Sequence, residues 1–337
     1  MARFGPDGRI ARIPTPTGFP VGDINTYLIL PEAGSDELVL VDTGVRSDPS
    51  WEALRTGLAS VGRRVEDITR VLLTHAHPDH FGHAARIART AGCEVWAHEL
   101  AQDAIDRYAG DAPPERLDRV RGFLCWLGVP EERAERAFGP PGGTTTVEHL
   151  VPDVTFADGA HIEVPGLPLE VFHTPGHCPE EVVFWNADSG AMFSGDHLLP
   201  DITPVCLFDV PEAPGGERVH TLVQYLGSLD KVEPLRVRRL LPSHGDTLTS
   251  HTDLLARYRL ATETRALKIA RMLAKDTSTP FELAVHMFPK VWDAQLHLVL
   301  SEVLGHLDLL VERGNASLRD ESGVARYEFV SLPTTGA

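Results

Sequence analysis

The sequence predicts an α/β protein with a small, mainly helical unit after it, and three observations carry that prediction. Short β-branched or apolar runs alternate with amphipathic stretches through the first 250 residues. Polar residues recur where those runs end, beside glycine or proline. Past residue 251 the short runs give way to long helical periodicity. Of 337 residues, 42% are hydrophobic and 23% charged, an ordinary globular composition. That length exceeds one typical domain, so we expect a first unit over 1–250 and a second over 251–330.

In chain order, "NTYLIL" (25–30), "ELVLVD" (37–42) and "RVLLTH" (70–75) read as strands. So do "CEVWAH" (93–98), "LEVFHT" (169–174), "EVVFWN" (181–186), "AMFSGD" (191–196) and "RRLLPSH" (238–244). Several are apolar on both faces, the pattern of strands covered by a layer on each side. "SDPSWEALRTGLASVG" (47–62) reads as a helix, with Ser47 or Asp48 as N-cap, Pro49 at its first position and a closing glycine. Residues 98–140 read as two or three short helices broken by Pro and Gly, carrying Phe123, Trp126 and Phe138. This helical insertion, taken as 98–150, suits a lid or a packed arm. "GERVHTLVQYLGSLDKV" (216–232) is a further amphipathic helix.

The C-terminal unit opens with a long amphipathic helix from residue 251 and continues with a short one from Thr279. A third helix over 291–314 and the hairpin "ASLRD-ESG-VARYEF" complete a winged-helix-like pattern. A winged helix suggests nucleic acid, but charge argues against it. The formal net charge is −17, with 31 basic against 48 acidic residues, which opposes a polyanion. The stretch 291–312 carries Asp293, Glu302, Asp308 and Glu312 and neither Lys nor Arg, unlike a helix that reads a groove. Its apolar spacing (Leu296, Val299, Leu300, Val303, Leu307, Leu310) indicates core. The unit therefore reads as a module for packing, lid support or homodimer formation.

Four cysteines (Cys93, Cys125, Cys178, Cys206) stand singly, so no disulfide framework is expected. No run approaches the 18 apolar residues of a membrane span, and "MARFGPDGRIARIP" lacks a secretory apolar core. The expectation is a cytoplasmic protein with no membrane partner.

The densest chemistry lies in "VLLTHAHPDHFGH" (71–83). His75 and His77 follow a strand at i and i+2, so both imidazoles project to one side. Pro78 breaks the strand, and Asp79 and His80 arrive on the turn. Four such ligands on one turn cannot all reach one tetrahedral ion, which implies two neighbouring ions. Further ligands stand at other strand ends: His177 in "FHTPGHCPEE", Asp196 in "MFSGDHLLP" and His244 in "LLPSHGDT". Imidazole and carboxylate suit Zn²⁺, and also Fe or Mn. His83 reads as a helix-surface or packing residue, His173 as supporting or structural, His197 as structural or substrate-facing, and Cys178 as a small buried side chain.

With "VDTG" at Asp42, H-x-H-x-D-H at His75 to His80, then His177, Asp196 and His244, residues 20–250 resemble the metallo-β-lactamase-fold hydrolases. The resemblance implies an αββα sandwich with a two-metal site along one edge. By analogy His75, His77 and His177 hold the first metal. Asp79, His80 and His244 hold the second, with Asp196 bridging and Asp42 supporting from outside. It also implies a metal-bridging hydroxide that attacks a small ester, thioester or lactone, with Asp79 as the catalytic residue that orients it. "SGDHLLPDITP" and the insertion resemble the glyoxalase-II-like and general hydrolase branch, although the C-terminal tail differs from that of a glyoxalase II. Two alternatives belong to the same fold: an endoribonuclease or phosphodiesterase, and an iron-dependent persulfide dioxygenase.

Overall fold

The computed structural model describes residues 2–5, 8–110, 114–137 and 147–333. Its first sheet has seven strands in chain order: β1 (Arg3–Phe4), β2 (Ile10–Thr15), β3 (Ile24–Ile29), β4 (Val39–Val41), β5 (Arg70–Leu72), β6 (Glu94–His98) and β7 (Val154–Phe156). A second, five-stranded sheet is built from β8 (His161–Ile162), β9 (Leu169–His173), β10 (Val182–Asn186), β11 (Ala191–Gly195) and β12 (Arg239–Pro242), ordered β12-β11-β10-β9-β8.

Side-chain alternation explains how the sheets stack. Successive strand residues point to opposite faces. Tyr27, Ile29, Val39, Val41 and Leu72 of the first sheet meet Val182, Phe184, Phe193 and Leu241 of the second in one core. Their sequence neighbours face away. Leu28, Leu40, Val71 and Val95 pack under the helices α1 (Asp48–Ala59), α3 (Ala84–Ala91) and α4 (Ala101–Ala109). Val183, Met192 and Leu240 pack under α7 (Thr221–Val232) and α8 (Thr252–Leu273). The result is the expected helix–sheet–sheet–helix sandwich. Of the two expected N-caps of helix α1 it is Ser47 that serves, its hydroxyl accepting from Ser50 N–H; the helix starts at Asp48, so Pro49 is its second residue rather than its first.

A fourth core joins parts distant in sequence. Phe123, Leu124 and Leu127, on and beside α5 (Pro114–Trp126), pack with Ala134 of α6 (Glu131–Ala137). They share one cluster with Ile269 of α8, Leu283 of α9 (Pro280–Met287), and Leu300, Val303 and Leu307 of α10 (Leu296–Glu312). The hairpin β13 (Ala316–Glu321) and β14 (Val324–Phe329) closes it with Ala316 and Tyr327. Trp126 Nε1 donates to Asp320 Oδ2 at 2.8 Å. The insertion is thus anchored on the C-terminal helices. Phe138 lies outside the described residues.

Strands β1, β2, β7 and β8 were not expected from sequence. β1, β7 and β8 are too short to show a period, and Pro14 interrupts β2. The third C-terminal helix begins at Leu296 rather than 291. Likewise, α7 begins at Thr221 rather than 216, and the segment before it is held by Arg218, which pairs with the buried Asp308 of α10. No helix among the described residues is long and apolar enough to cross a membrane.

Candidate metal centre

Strand direction gathers the candidate ligands. β4 runs parallel to β5, and β11 parallel to β12. β9 is antiparallel to β10, which is antiparallel to β11, so β9 and β11 share a direction. Asp42 follows β4, the 75–80 turn follows β5, His177 follows β9, Asp196 follows β11 and His244 follows β12. Pro78 starts a one-turn helix, α2 (Pro78–Phe81), which turns Asp79 and His80 back toward His75.

The candidate ligands fall into two sets. In the first, His77 Nδ1 lies 2.9 Å from His75 Nε2 and 2.9 Å from His177 Nε2. In the second, His244 Nε2 lies 3.3 Å from Asp79 Oδ2, and His80 Nε2 lies 4.0 Å from the same oxygen. Asp196 stands between them. Its Oδ2 is 3.5 Å from His177 Nε2, while its Oδ1 is 3.5 Å from His80 Nε2 and 3.7 Å from His244 Nε2. Each carboxylate oxygen faces one set.

Hydrogen bonds on the far side of the rings fix where the protons sit. His177 Nδ1 donates to Val205 O at 2.8 Å, and His244 Nδ1 to Asp23 O at 2.9 Å. His80 Nδ1 donates to Asp42 Oδ2 at 2.9 Å. A neutral imidazole that donates through Nδ1 presents a lone pair at Nε2. His177 Nε2 therefore presents a lone pair to the first set, and in the second His80 Nε2 is a buried nitrogen with no hydrogen-bond partner that faces the acceptor oxygens of Asp79 and Asp196. Buried acceptors that face one another are unfavourable unless a cation lies between them. The donor set fits a divalent metal on each side: His75, His77 and His177 can hold one cation, Asp79, His80 and His244 another.

Charge follows the same division. Burial, then neighbouring His177, pushes His77 down to about 3. Burial, then His80 and His77, holds His75 well below the ordinary imidazole value. Both are neutral, the form that ligates. On the other side burial opposes protonation of His80, but Asp42, Asp79 and Asp196 outweigh it and raise its pKa. Asp196 is held well below the carboxylate range: burial opposes this, and His80 and His244 prevail. A proton on His80 is what a cation would displace.

Asp42 sits outside both sets. It accepts from Thr74 N–H at 2.9 Å, from Thr74 Oγ1–H at 2.8 Å and from His80. Its φ of +58° is a conformation Asp tolerates better than most residues. His83 is buried and lies against the Trp51 ring, 5.1 Å between centroids, so it packs rather than lying on the surface. His173 stacks on His98 at 4.2 Å and hydrogen-bonds Pro179 O. His197 is fully buried against Tyr225, and Cys178 is a small buried side chain.

Three residues close to the centre escaped the sequence reading. Tyr108 of α4 stands edge-on to His77, 5.8 Å between centroids, so the insertion forms a wall beside the first set. Glu180 and Glu181 are buried under the ligand turns. Adjacent acids directly after the His177 turn were a legible signal, because buried carboxylates need partners. Tyr108 left none, because its approach depends on how α4 folds back.

The sequence description of the Metallo-beta-lactamase superfamily matches residues 19–244. The chain is 29% identical over 313 residues to the probable metallo-hydrolase YqjP of Bacillus subtilis, covering 89% of this chain and 90% of that protein. It is 27% identical over 157 residues to the hydroxyacylglutathione hydrolase GloC of Haemophilus influenzae, covering 45% of this chain and 59% of that one. A solved metallo-beta-lactamase family protein of Thermus thermophilus superposes with a TM-score of 0.77 at 26% identity, covering 96% of this chain and 99% of that one.

Proposed function

The chain belongs to the metallo-beta-lactamase superfamily and is a metal-dependent hydrolase, and from that premise we propose that it uses two divalent cations, zinc by its donor set, to cleave a small ester, thioester or lactone. The observation that carries the two-cation reading is Asp196, whose two oxygens each face a separate set of ligands. Bound cations supply an acidified water and polarisation of the substrate carbonyl. The chain's own part is to hold the ligands in place, exclude bulk water and handle the proton. Asp79, 3.3 Å from His244, is assigned the orientation of the attacking water and delivery of its proton to the leaving group. Tyr108 and α4 bound the substrate space beside His77.

Two further observations favour a small acyl compound over nucleic acid. Helix α10, the stretch a winged helix would use for reading DNA or RNA, is buried over 12 of its 17 residues. Its acidic Asp308 is tied to Arg218. The relative named as a hydroxyacylglutathione hydrolase makes thioesters the first compounds to try.

The test is metal quantification paired with a panel of esters, thioesters, lactones and phosphodiesters, with His77→Ala as the control. We expect about two zinc ions per chain. His77→Ala should lower kcat/KM more than about 100-fold, beyond the cost of losing a merely supporting residue. Wild-type hydrolysis by His77→Ala would refute the metal mechanism. Preferred cleavage of phosphodiesters would overturn the substrate class, and a single iron with oxygen uptake would replace hydrolysis by the dioxygenase reading.

A further inference from the structure

Glu181 is fully buried, and both of its oxygens face the ligand turns. Oε1 accepts from Asp196 N–H at 2.9 Å. Oε2 lies 3.6 Å from His75 Nδ1 and 3.8 Å from Cys178 Sγ, whose thiol donates to it. One carboxylate thus touches His75, the residue after His177 and the backbone of Asp196. The space is reserved for it: Gly195 has φ +51°, and a Cβ there would come within 2.5 Å of Glu181 Oε1.

The proton on His75 is the variable that matters. Its Nδ1 lies 3.2 Å from Thr74 Oγ1, which can accept because the Thr74 hydroxyl donates to Asp42, and 3.6 Å from Glu181 Oε2, a polar contact longer than a hydrogen bond. A proton held at Nδ1 leaves the Nε2 lone pair directed at His77 and His177. A proton at Nε2 would close the first set to a cation.

We propose that Glu181 is a positioning residue that ties the His75 ring to the backbone of Asp196 and, together with Thr74, keeps an accepting surface at His75 Nδ1, so that the first ligand set is assembled before the cation arrives. The proposal rests on the two-cation reading above and concerns how one half of that centre is held. Carboxylate partners behind ligating imidazoles are a general device for fixing tautomer and ring orientation. Glu180 has a simpler duty, accepting Ala76 N–H through Oε1 at 3.3 Å. A Gln carbonyl can do the same.

Glu181→Gln tests this, because the amide carbonyl can still accept from Asp196 N–H while its NH2 group confronts the Nδ1–H of His75. Metal is titrated against a competing chelator, and the visible spectrum of the Co²⁺-loaded protein is recorded, beside wild type and Glu180→Gln. The expected result for Glu181→Gln is a loss of about 10–100-fold in affinity for one of two equivalents, with an altered Co²⁺ spectrum. Glu180→Gln should keep wild-type affinity. Unchanged affinity in Glu181→Gln, or an equal loss in both variants, would overturn the proposal. Should Glu181→Gln not fold, Glu181→Asp, with a shorter arm, carries the same expectation and the same refutation. Wild type that binds only one equivalent would instead sink the two-cation reading, so the two failures are distinguishable.

Discussion

Asp42→Asn is the most discriminating perturbation of the second ligand set. Asn is nearly isosteric and tolerates the left-handed backbone of residue 42, φ +58°. An Ala there would add backbone strain of about 1–3 kcal/mol and confuse the result. The amide oxygen can keep the bond from Thr74 N–H, but at the position of Oδ2 an NH2 group now meets His80 Nδ1–H, 2.9 Å away. Two donors face each other, and relief comes by moving the His80 proton to Nε2, the atom that points at Asp196 and Asp79. Loss of a supporting carboxylate of this kind costs about 10–100-fold in metal affinity, or ~1.4–2.7 kcal/mol. In the metal-free protein the lost charged hydrogen bond costs a further ~1.5–3 kcal/mol of stability. The assay is competition with a chromophoric chelator, with urea unfolding of the stripped protein in parallel. The expected record is one equivalent weakened and one unchanged. Two wild-type equivalents in a folded Asp42→Asn would refute the tautomer argument for the whole centre.

Tyr108→Ala removes the ring beside His77 without touching a ligand; we expect full metal content with a raised KM, and reduced metal content would refute the reading of α4 as a substrate wall. The pH dependence of the stripped protein follows from the imidazoles. His75 and His77 are depressed in the folded state, so the unfolded chain binds more protons, and stability falls as pH drops below the ordinary imidazole value, for His77 until about 3. The raised His80 contributes stability that is fully present below its unfolded pKa and is lost as pH rises through its folded pKa. Thermal unfolding of chelator-treated protein should therefore show the site's contribution peaking near neutral-to-weakly acidic pH. Bound metal should move the acid limb to lower pH, and identical profiles with and without metal would count against this account.

The residue types that make the centre were legible because their signal is local. His75, His77, Asp79 and His80 lie on one turn, and i, i+2 geometry after a strand already directs two imidazoles together. His177, Asp196 and His244 could be matched to them because each stands at a strand end beside glycine or a tight turn. The sandwich was legible for a similar reason: strands such as "NTYLIL" and "EVVFWN" are apolar on both faces, so each must lie between two layers.

Packing between distant segments decided the rest. Which oxygen of Asp196 faces which ligand set depends on how β11 and β5 meet across the two sheets. Glu180 and Glu181 stand out in sequence as adjacent acids after the His177 turn, but only burial against Gly195 and His75 gives Glu181 a task. The insertion and the C-terminal helices looked like separate units, yet Phe123 and Leu300 belong to one core. The apolar faces of the two segments cover each other in that core. Sequence periodicity reveals that such a face exists, but the partner that covers it is chosen only when the whole chain closes.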